Sequence, residues 1–132
     1  MPDPGAVLSE MARATRYRVL LVDQAASESM AEAEVQNELE RLRDPSHATS
    51  RSPSDQRRLL EGAGLKVVAE RVVEHDETVS AWTSPREFPP DRIEAVRQFL
   101  SRYASDTGMR FRPLGDDWVF RRRTVLLLAE LL

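Results

Sequence analysis

The chain has 132 residues, of which 41% are hydrophobic and 31% are charged, so it can bury a core and suits one domain rather than two. Lys and Arg number 19 against 22 Asp and Glu, a net charge of -3, and this balance gives no general argument for nucleic acid or an anionic membrane as a partner. The absence of cysteine excludes disulfides, thiolate metal ligands and cysteine nucleophiles, and it fits a reducing cytoplasm.

Neither a membrane span nor a signal peptide is predicted. The longest apolar run, Val125 to Ala129, is far shorter than the ~20 residues that a span needs. The N-terminus has no basic region followed by an apolar one. We therefore expect a cytoplasmic protein that folds as a single domain over residues 1–132, with residues 1–5 as a short frayed leader.

The first half of the chain contains helical and strand patterns in turn. Apolar residues at helical spacing predict a helix over Ala6 to Ala14. The run Arg18 to Asp23 (RVLLVD) is typical of a strand buried on both faces. A second helix is predicted over Ser27 to Arg43, and Pro45 ends it because the residue before a proline is disfavoured in a helix.

A third helix has clear boundaries in the sequence. Ser52 can cap it and Pro53 suits its first position. Gly62 and Gly64 mark its end, with Gly64 as the expected left-handed residue. The β-branched segment Leu65 to Val73 then predicts a second strand.

The second half is predicted less completely. Residues 75–90 have no clear pattern, and a helix follows from Pro90 to about Ala104. A short strand over Met109 to Arg112, a tight turn at 114–117 and a long strand from Trp118 to Leu128 complete the order. Helices between the first strands imply crossovers and a largely parallel sheet, and the last two strands form a hairpin.

No complete catalytic, cofactor or metal site is found in the chain. None of its five glycines follows a strand with the spacing of a nucleotide loop, and no G-x-S-x-G elbow occurs. His75 lies in the acidic stretch 74–77 and is interpreted as part of a solvated strand end or loop, because nothing else completes a metal coordination shell. The Arg121 to Arg123 run alternates between the two faces of a strand, so it does not form a single anion-binding patch.

Three strings resemble class I S-adenosylmethionine-dependent methyltransferases. Residues 8–23, LSEMARATRYRVLLVD, resemble a helix and strand late in that fold, although residues 15–18 replace the family's R-P-G-G turn. Residues 37–47, NELERLRDPSH, are the most specific match and are similar to a string in methyltransferases of the ubiquinone and menaquinone biosynthesis type and their type-11 relatives. Residues 59–68, LLEGAGLKVV, resemble the helix and strand that follow.

The resemblance covers roughly residues 7–130 and implies an α/β fold, a partial Rossmann-like methyltransferase sheet with flanking helices. The family sheet has the strand order 3-2-1-4-5-7-6, with the seventh strand antiparallel. The fifth, sixth and seventh strands of that sheet correspond here to Arg18 to Asp23, Leu65 to Val73 and Trp118 to Leu128. No positions match the first four strands, which form the cofactor site. S-adenosylmethionine is therefore implied by the family only, and we do not expect this chain alone to bind it.

By this resemblance the chain contributes the substrate side of a cleft. The candidate substrate-facing residues are Asp23 at the end of its strand, His47 after a helix and Trp82 in the unassigned segment. Each also has an ordinary interpretation: Asp23 as a cap, His47 as a solvated loop residue and Trp82 as a core residue. No catalytic residue is assigned, and a small-molecule substrate is possible but cannot be read from the sequence.

The order 5-7-6 also predicts a partner. It leaves Arg18 to Asp23 as an exposed edge strand without proline or an inward charge, and such an edge favours pairing with another chain. We therefore expect a homodimer or a partner chain at this strand, and neither nucleic acid nor a membrane. Three interpretations stay open: a methyltransferase whose cofactor half is missing or supplied in trans, a non-enzymatic dimerisation or regulatory module, and an inactive fragment. The sequence therefore does not decide whether the chain has enzymatic activity.

Overall fold

The structure is a computed structural model that describes residues 3–14, 18–84 and 86–132. A 3-10 turn, Ala104–Asp106, precedes the third strand. The helices and strands follow in this order: α1 (Pro4–Ala14), β1 (Arg18–Gln24), α2 (Met30–Arg43), α3 (Pro53–Gly62), β2 (Leu65–Thr78), α4 (Val79–Trp82), α5 (Pro90–Tyr103), β3 (Arg112–Leu114) and β4 (Asp117–Leu131). No helix in these described ranges is long and apolar enough to cross a membrane.

Side-chain caps decide where α1 and α2 begin. The prediction of a frayed leader over residues 1–5 is wrong at Pro4, where α1 starts, because Asp3 Oδ1 accepts a hydrogen bond from the Ala6 N–H at 3.1 Å. Residues 1 and 2 lie outside the described part. The α2 helix begins three residues later than predicted, since Ser29 rather than Ser27 caps it.

The sheet has the order β1-β4-β2, and β3 pairs with the first residues of β4. The pairings of β4 with β1 and with β3 are antiparallel. The expectation of a largely parallel sheet, drawn from the helices between the first strands, fails at these pairings because β4 runs between the two strands that the crossovers connect. The antiparallel last strand that the resemblance implied agrees with them. The order itself agrees with the 5-7-6 order that the resemblance implied, and β3 and β4 form the predicted hairpin.

The β2 strand continues to Thr78, five residues beyond its predicted end. Its acidic end is held by arginines, with 3.4 Å between Arg121 and Glu74 and 2.8 Å between Arg112 and Asp76. The Arg112 hydrogen bond lowers the pKa of Asp76. This segment has no apolar alternation, so its local sequence does not predict a strand. Its acidic side chains are paired instead with arginines of β3 and β4. The short α4 helix follows and is capped by Thr78.

The first strand of the hairpin begins later in the chain than predicted, while the hairpin turn lies within the predicted residues 114–117. Gly108 has a φ of 70° and Arg110 a φ of 56°, so the chain still turns at Arg110, which was predicted to lie in the strand. The strand β3 begins only at Arg112. The turn that joins β3 to β4 contains Gly115, which has a φ of 62°.

The chain divides into two compact units. Unit 1 comprises residues 1–25, 48–73 and 123–132, and unit 2 comprises residues 26–47 and 74–122. The core of unit 1 packs α1 and α3 against β1 and the end of β4 through Leu8, Leu60 and Leu127. The core of unit 2 packs α2, α4 and α5 around Phe120 of β4.

One face of β1 is open. Val19 and Leu21 are buried in the core of unit 1, whereas Leu20 is 56% and Val22 is 53% exposed. The prediction that this strand is buried on both faces is therefore wrong. Leu20 lies opposite Leu128 and Val22 opposite Leu126, and directly opposite residues in an antiparallel pair share a face. These four residues form a stripe, which we call the open stripe.

Replacement of Gly108 by alanine is expected to lower the free energy of unfolding by about 2 kcal/mol, because a left-handed backbone disfavours a Cβ. An added Cβ would also lie 3.0 Å from Glu32 Oε1 and 3.2 Å from Ser27 Cβ. Gly115→Ala is the matched control, since its φ is 62° but nothing lies within 4 Å. It should cost about 1 kcal/mol. Equal losses for both variants in urea unfolding would show that the contact at Gly108 is unimportant.

Candidate functional site

The first predicted residue, Asp23, lies in unit 1 near the end of β1. It is exposed, and its Oδ1 accepts a hydrogen bond from the Gln24 N–H at 2.8 Å. It lines a cavity of about 10 Å³ with Arg51 and Gln56. That volume holds about one water molecule, so this cavity does not by itself form a substrate site. The substrate-facing role of Asp23 stays a prediction.

Gln56 is the buried polar side chain beside Asp23. It is 3% exposed, and its Nε2 donates to the carbonyls of Gln24 at 3.1 Å and Arg51 at 2.9 Å. Its Oε1 has no hydrogen-bond partner among the described residues. The two carbonyl contacts connect α3 to the backbone on either side of the parallel bridge between Ala25 and Arg51. Gln56 therefore organises the carboxyl end of β1.

The second predicted residue, His47, lies in unit 2 against α2. Its Nε2 is 3.0 Å from Glu40 Oε2 and 3.3 Å from Asn37 Oδ1. The Glu40 carboxylate is fully buried, while the His47 side chain keeps 14% of its surface exposed. A buried carboxylate is stable only with hydrogen-bond or charge partners, and the imidazole is one of them. His47 is therefore not a loop residue exposed to solvent on all sides.

A tight turn brings His47 back onto the helix. Asp44 Oδ1 accepts hydrogen bonds from the Ser46 hydroxyl at 2.7 Å and the Ser46 N–H at 3.0 Å, and these bonds lower the pKa of Asp44. The His47 N–H donates to the Asp44 carbonyl at 3.0 Å. Pro45 between them prevents a further helical turn. The D-P-S-H string thus has a local structural reason, which is the reversal that places the imidazole on Glu40.

The third predicted residue, Trp82, is buried in unit 2. It is 4% exposed and packs edge-on against Phe120, with ring centroids 5.2 Å apart. The Arg43 guanidinium lies 4.5 Å from the centre of the Trp82 ring and 5.0 Å from that of Phe88. Burial lowers the pKa of Arg43, an effect that the nearby Glu40 opposes. The burial fits the core interpretation of Trp82, and its substrate-facing role stays a prediction.

His47 and Trp82 therefore both flank the carboxyl-terminal half of α2, whereas Asp23 belongs to the other unit. Sequence reasoning named neither Glu40 nor Arg43 as a site residue, because Glu40 is one of four acidic residues in the helix. Only its position about one helical turn before the D-P-S-H string could have distinguished it. Residues Asn37, Glu40, Arg43, His47 and Trp82 are the candidate site of unit 2.

A second depression lies on the surface of α1. The larger depression, about 490 Å³, is a shallow apolar surface on α1 lined by Ala6, Val7, Glu10 and Met11. A cofactor site needs several converging polar groups in a concave pocket, and one helix face does not supply them. No group of three or more His, Cys, Asp or Glu side chains in the described ranges is placed to hold a metal ion. What the candidate site offers chemically is an imidazole held by a buried carboxylate.

Comparison with known proteins identifies the fold. No protein-family model matches the sequence, and no curated protein matches it. Among solved structures, this chain is similar to BH2331 of Bacillus halodurans C-125, which is described as a candidate methyltransferase. The match covers 98% of this chain and 63% of the BH2331 chain, with a TM-score of 0.89 and 22% sequence identity. This chain is also similar to the YcgJ protein of Bacillus subtilis. That match covers 96% of this chain and 57% of the YcgJ chain, with a TM-score of 0.79 and 21% sequence identity.

This likeness concerns the fold alone, because both identities are below a quarter. The chain has a mixed α/β fold like that of a candidate methyltransferase. It spans less than two thirds of the length of either structure.

Proposed function

We propose that this chain forms the substrate-side portion of a class I S-adenosylmethionine-dependent methyltransferase of the ubiquinone and menaquinone biosynthesis type. The observation that carries the proposal is the fold likeness to BH2331 over almost the whole chain. The order β1-β4-β2 with an antiparallel β4 supports it further, since the resemblance implied that order for the last three strands of the family sheet. The NELERLRDPSH string supports the finer assignment.

In this proposal the cofactor-binding strands come from outside these 132 residues. They belong either to a further segment of the same polypeptide or to a separate one. The small cavity at Asp23 and the shallow surface on α1 support this view, because neither has the shape of a nucleoside site. The chain alone then does not bind S-adenosylmethionine, and it transfers a methyl group only when the other strands join it.

The joining surface that we propose is the outer edge of β1 together with the open stripe. The β1 strand ends the order β1-β4-β2, and its exposed residues Leu20 and Val22 are apolar. An exposed apolar edge strand offers unpaired backbone N–H and C=O groups and an apolar surface whose exposure to water is unfavourable. A strand from the cofactor-binding portion that pairs with β1 would satisfy the backbone groups, and apolar side chains of that portion would cover the open stripe.

Calorimetric titration of the purified chain with S-adenosylmethionine tests the first part of the proposal. We expect no heat beyond dilution. The second part is tested by sedimentation of the chain with the segment of BH2331 outside the matched region, about 37% of that protein (100% minus 63%). We expect the two polypeptides to associate, and the mixture to bind S-adenosylmethionine.

Leu20→Lys is the decisive variant for the joining surface. Burial of its ammonium group should weaken association with the BH2331 segment by about tenfold or more, which corresponds to about 1.4 kcal/mol. Val68→Lys is the matched control, because Val68 is a 44% exposed valine on β2, away from β1 in the strand order. Equal weakening by both variants, or micromolar binding of S-adenosylmethionine by the chain alone, would contradict the proposal.

A non-enzymatic dimerisation module is the second candidate function, and the same exposed edge favours it. In that case β1 pairs with β1 of a second copy. Light scattering would then give a dimer that Leu20→Lys dissociates and Val68→Lys does not. A dimer of this kind that also excludes the BH2331 segment would favour the module over the methyltransferase portion.

A further inference from the structure

The cavity near the end of β1 combines an apolar wall with several polar side chains. Its volume is about 10 Å³, which is close to the smallest space that holds one water molecule. The apolar wall includes Leu8, which is fully buried. The polar side chains that line it belong to Asp23, Thr49, Arg51 and Gln56. All of these residues lie within unit 1, so the cavity is formed inside one compact unit.

The side-chain amide of Gln56 has one buried polar atom without a protein partner. Its Nε2 donates to the carbonyls of Gln24 at 3.1 Å and Arg51 at 2.9 Å, which engages both hydrogens of the amide. These carbonyls also fix the orientation of the amide, because a flipped amide would place its oxygen against two other acceptors. The oxygen, Oε1, is buried and has no hydrogen-bond partner among the described residues. A buried acceptor of this kind is unfavourable unless a protein group or a water molecule donates to it.

We propose that the cavity binds one ordered water molecule, which donates a hydrogen bond to Gln56 Oε1. The cavity volume admits no larger ligand. The Asp23 carboxylate disfavours an anion at this place, and the Arg51 guanidinium disfavours a cation. Water has two donors and two acceptor lone pairs, so it can donate to the amide oxygen and also accept from the Thr49 hydroxyl or the guanidinium. The lining therefore offers the two to four polar partners that a buried water needs.

The bound water extends the contacts that Gln56 makes at the end of β1. Its amide nitrogen connects α3 to the backbone of Gln24 and Arg51. The water adds the polar side chains that line the cavity to the same network, and it becomes part of the structure that positions this end of the strand. This role does not depend on the proposed function, because every group in it belongs to unit 1 of the chain itself.

Nuclear Overhauser spectra of the purified chain in water test the binding. The methyl protons of Leu8 should show a cross-peak at the water frequency, with the sign of a long-lived contact. Leu60 is the matched control, because it is equally buried in the same core but is not among the described residues that line the cavity. We expect no water cross-peak at Leu60. A missing cross-peak at Leu8, or equal cross-peaks at both leucines, would overturn the proposal.

Two variants identify the anchor of the water. Thr49→Val removes the only hydroxyl among the described lining side chains, whose proton could otherwise relay the signal, and the Leu8 cross-peak should remain. Its disappearance in that variant would assign the signal to the hydroxyl and contradict the proposal. Gln56→Met removes the amide oxygen, and the cross-peak should be lost; an unchanged cross-peak would exclude Gln56 as the anchor.

A high-resolution crystal structure of the wild type decides the question if Gln56→Met does not fold. We expect electron density for a water molecule within about 3.2 Å of Gln56 Oε1. A cavity without such density, or an Oε1 atom that accepts from a protein group instead, would refute the proposal. No part of these tests uses S-adenosylmethionine, so a failure of the proposed function and a failure of this inference are separate results.

Discussion

Replacement of His47 by alanine is expected to lower the free energy of unfolding by about 3 kcal/mol at neutral pH, because it removes one hydrogen-bond partner of a buried carboxylate. Glu40 is fully buried, and its Oε2 lies 3.0 Å from His47 Nε2. Removing one partner of a buried carboxylate costs more than removing both groups, since the remaining carboxylate keeps its desolvation cost. Urea unfolding followed by circular dichroism measures the change.

Two variants serve as controls for this prediction. His75→Ala removes an exposed histidine from β2, and its effect should be within about 0.5 kcal/mol. The double variant His47→Ala with Glu40→Leu should be more stable than His47→Ala alone, because the carboxylate is then gone as well. A His47→Ala variant as stable as His75→Ala would mean that Glu40 does not depend on the imidazole.

Phe120→Ala should destabilise the chain by about 4 kcal/mol, since it creates a large cavity in the core of unit 2. Phe120 is fully buried, and its ring centroid lies 5.2 Å from that of Trp82 and 4.9 Å from that of Phe111. The Trp82 ring loses its edge contact in this variant, so the near-ultraviolet circular dichroism of tryptophan should weaken at the same time.

Leu114→Ala is the matched control for the core substitution. Leu114 lies on β3, which pairs with β4, the strand that contains Phe120, but Leu114 is 56% exposed. Its replacement should cost no more than about 0.5 kcal/mol. Similar losses for the two variants would show that Phe120 does not anchor the core.

Several local features were predictable because they depend on a few neighbouring residues. Ser52 caps α3 with Pro53 at its start, and Gly64 has a φ of 86° at its end, both as the sequence indicated. The strand from Arg18 begins where its apolar run begins. Caps, turns and apolar runs each depend on a few consecutive residues, so they can be recognised in a single sequence.

Other features depend on residues that are distant in the chain. The extension of β2 through Glu74 and Asp76 depends on Arg112 and Arg121, more than thirty residues away. The burial of Glu40 depends on a turn that returns His47 to its helix, and helical periodicity does not contain that information. Of the candidate residues, His47 was identified, but its partner was not.

The sequence by itself determined the boundaries of α3, which a serine cap and a glycine control, the α/β class and, through its resemblance to methyltransferases, the expected order of three strands. Only the tertiary structure decided that Leu20 and Val22 on β1 are exposed, that acidic β2 pairs with arginines, and that a buried carboxylate lies against His47. The physical reason is that burial and ion pairing are properties of whole packed surfaces. An apolar strand with one open face has the same local sequence pattern as a strand that is buried on both faces. A buried acidic residue in a helix has the same local pattern as an exposed one.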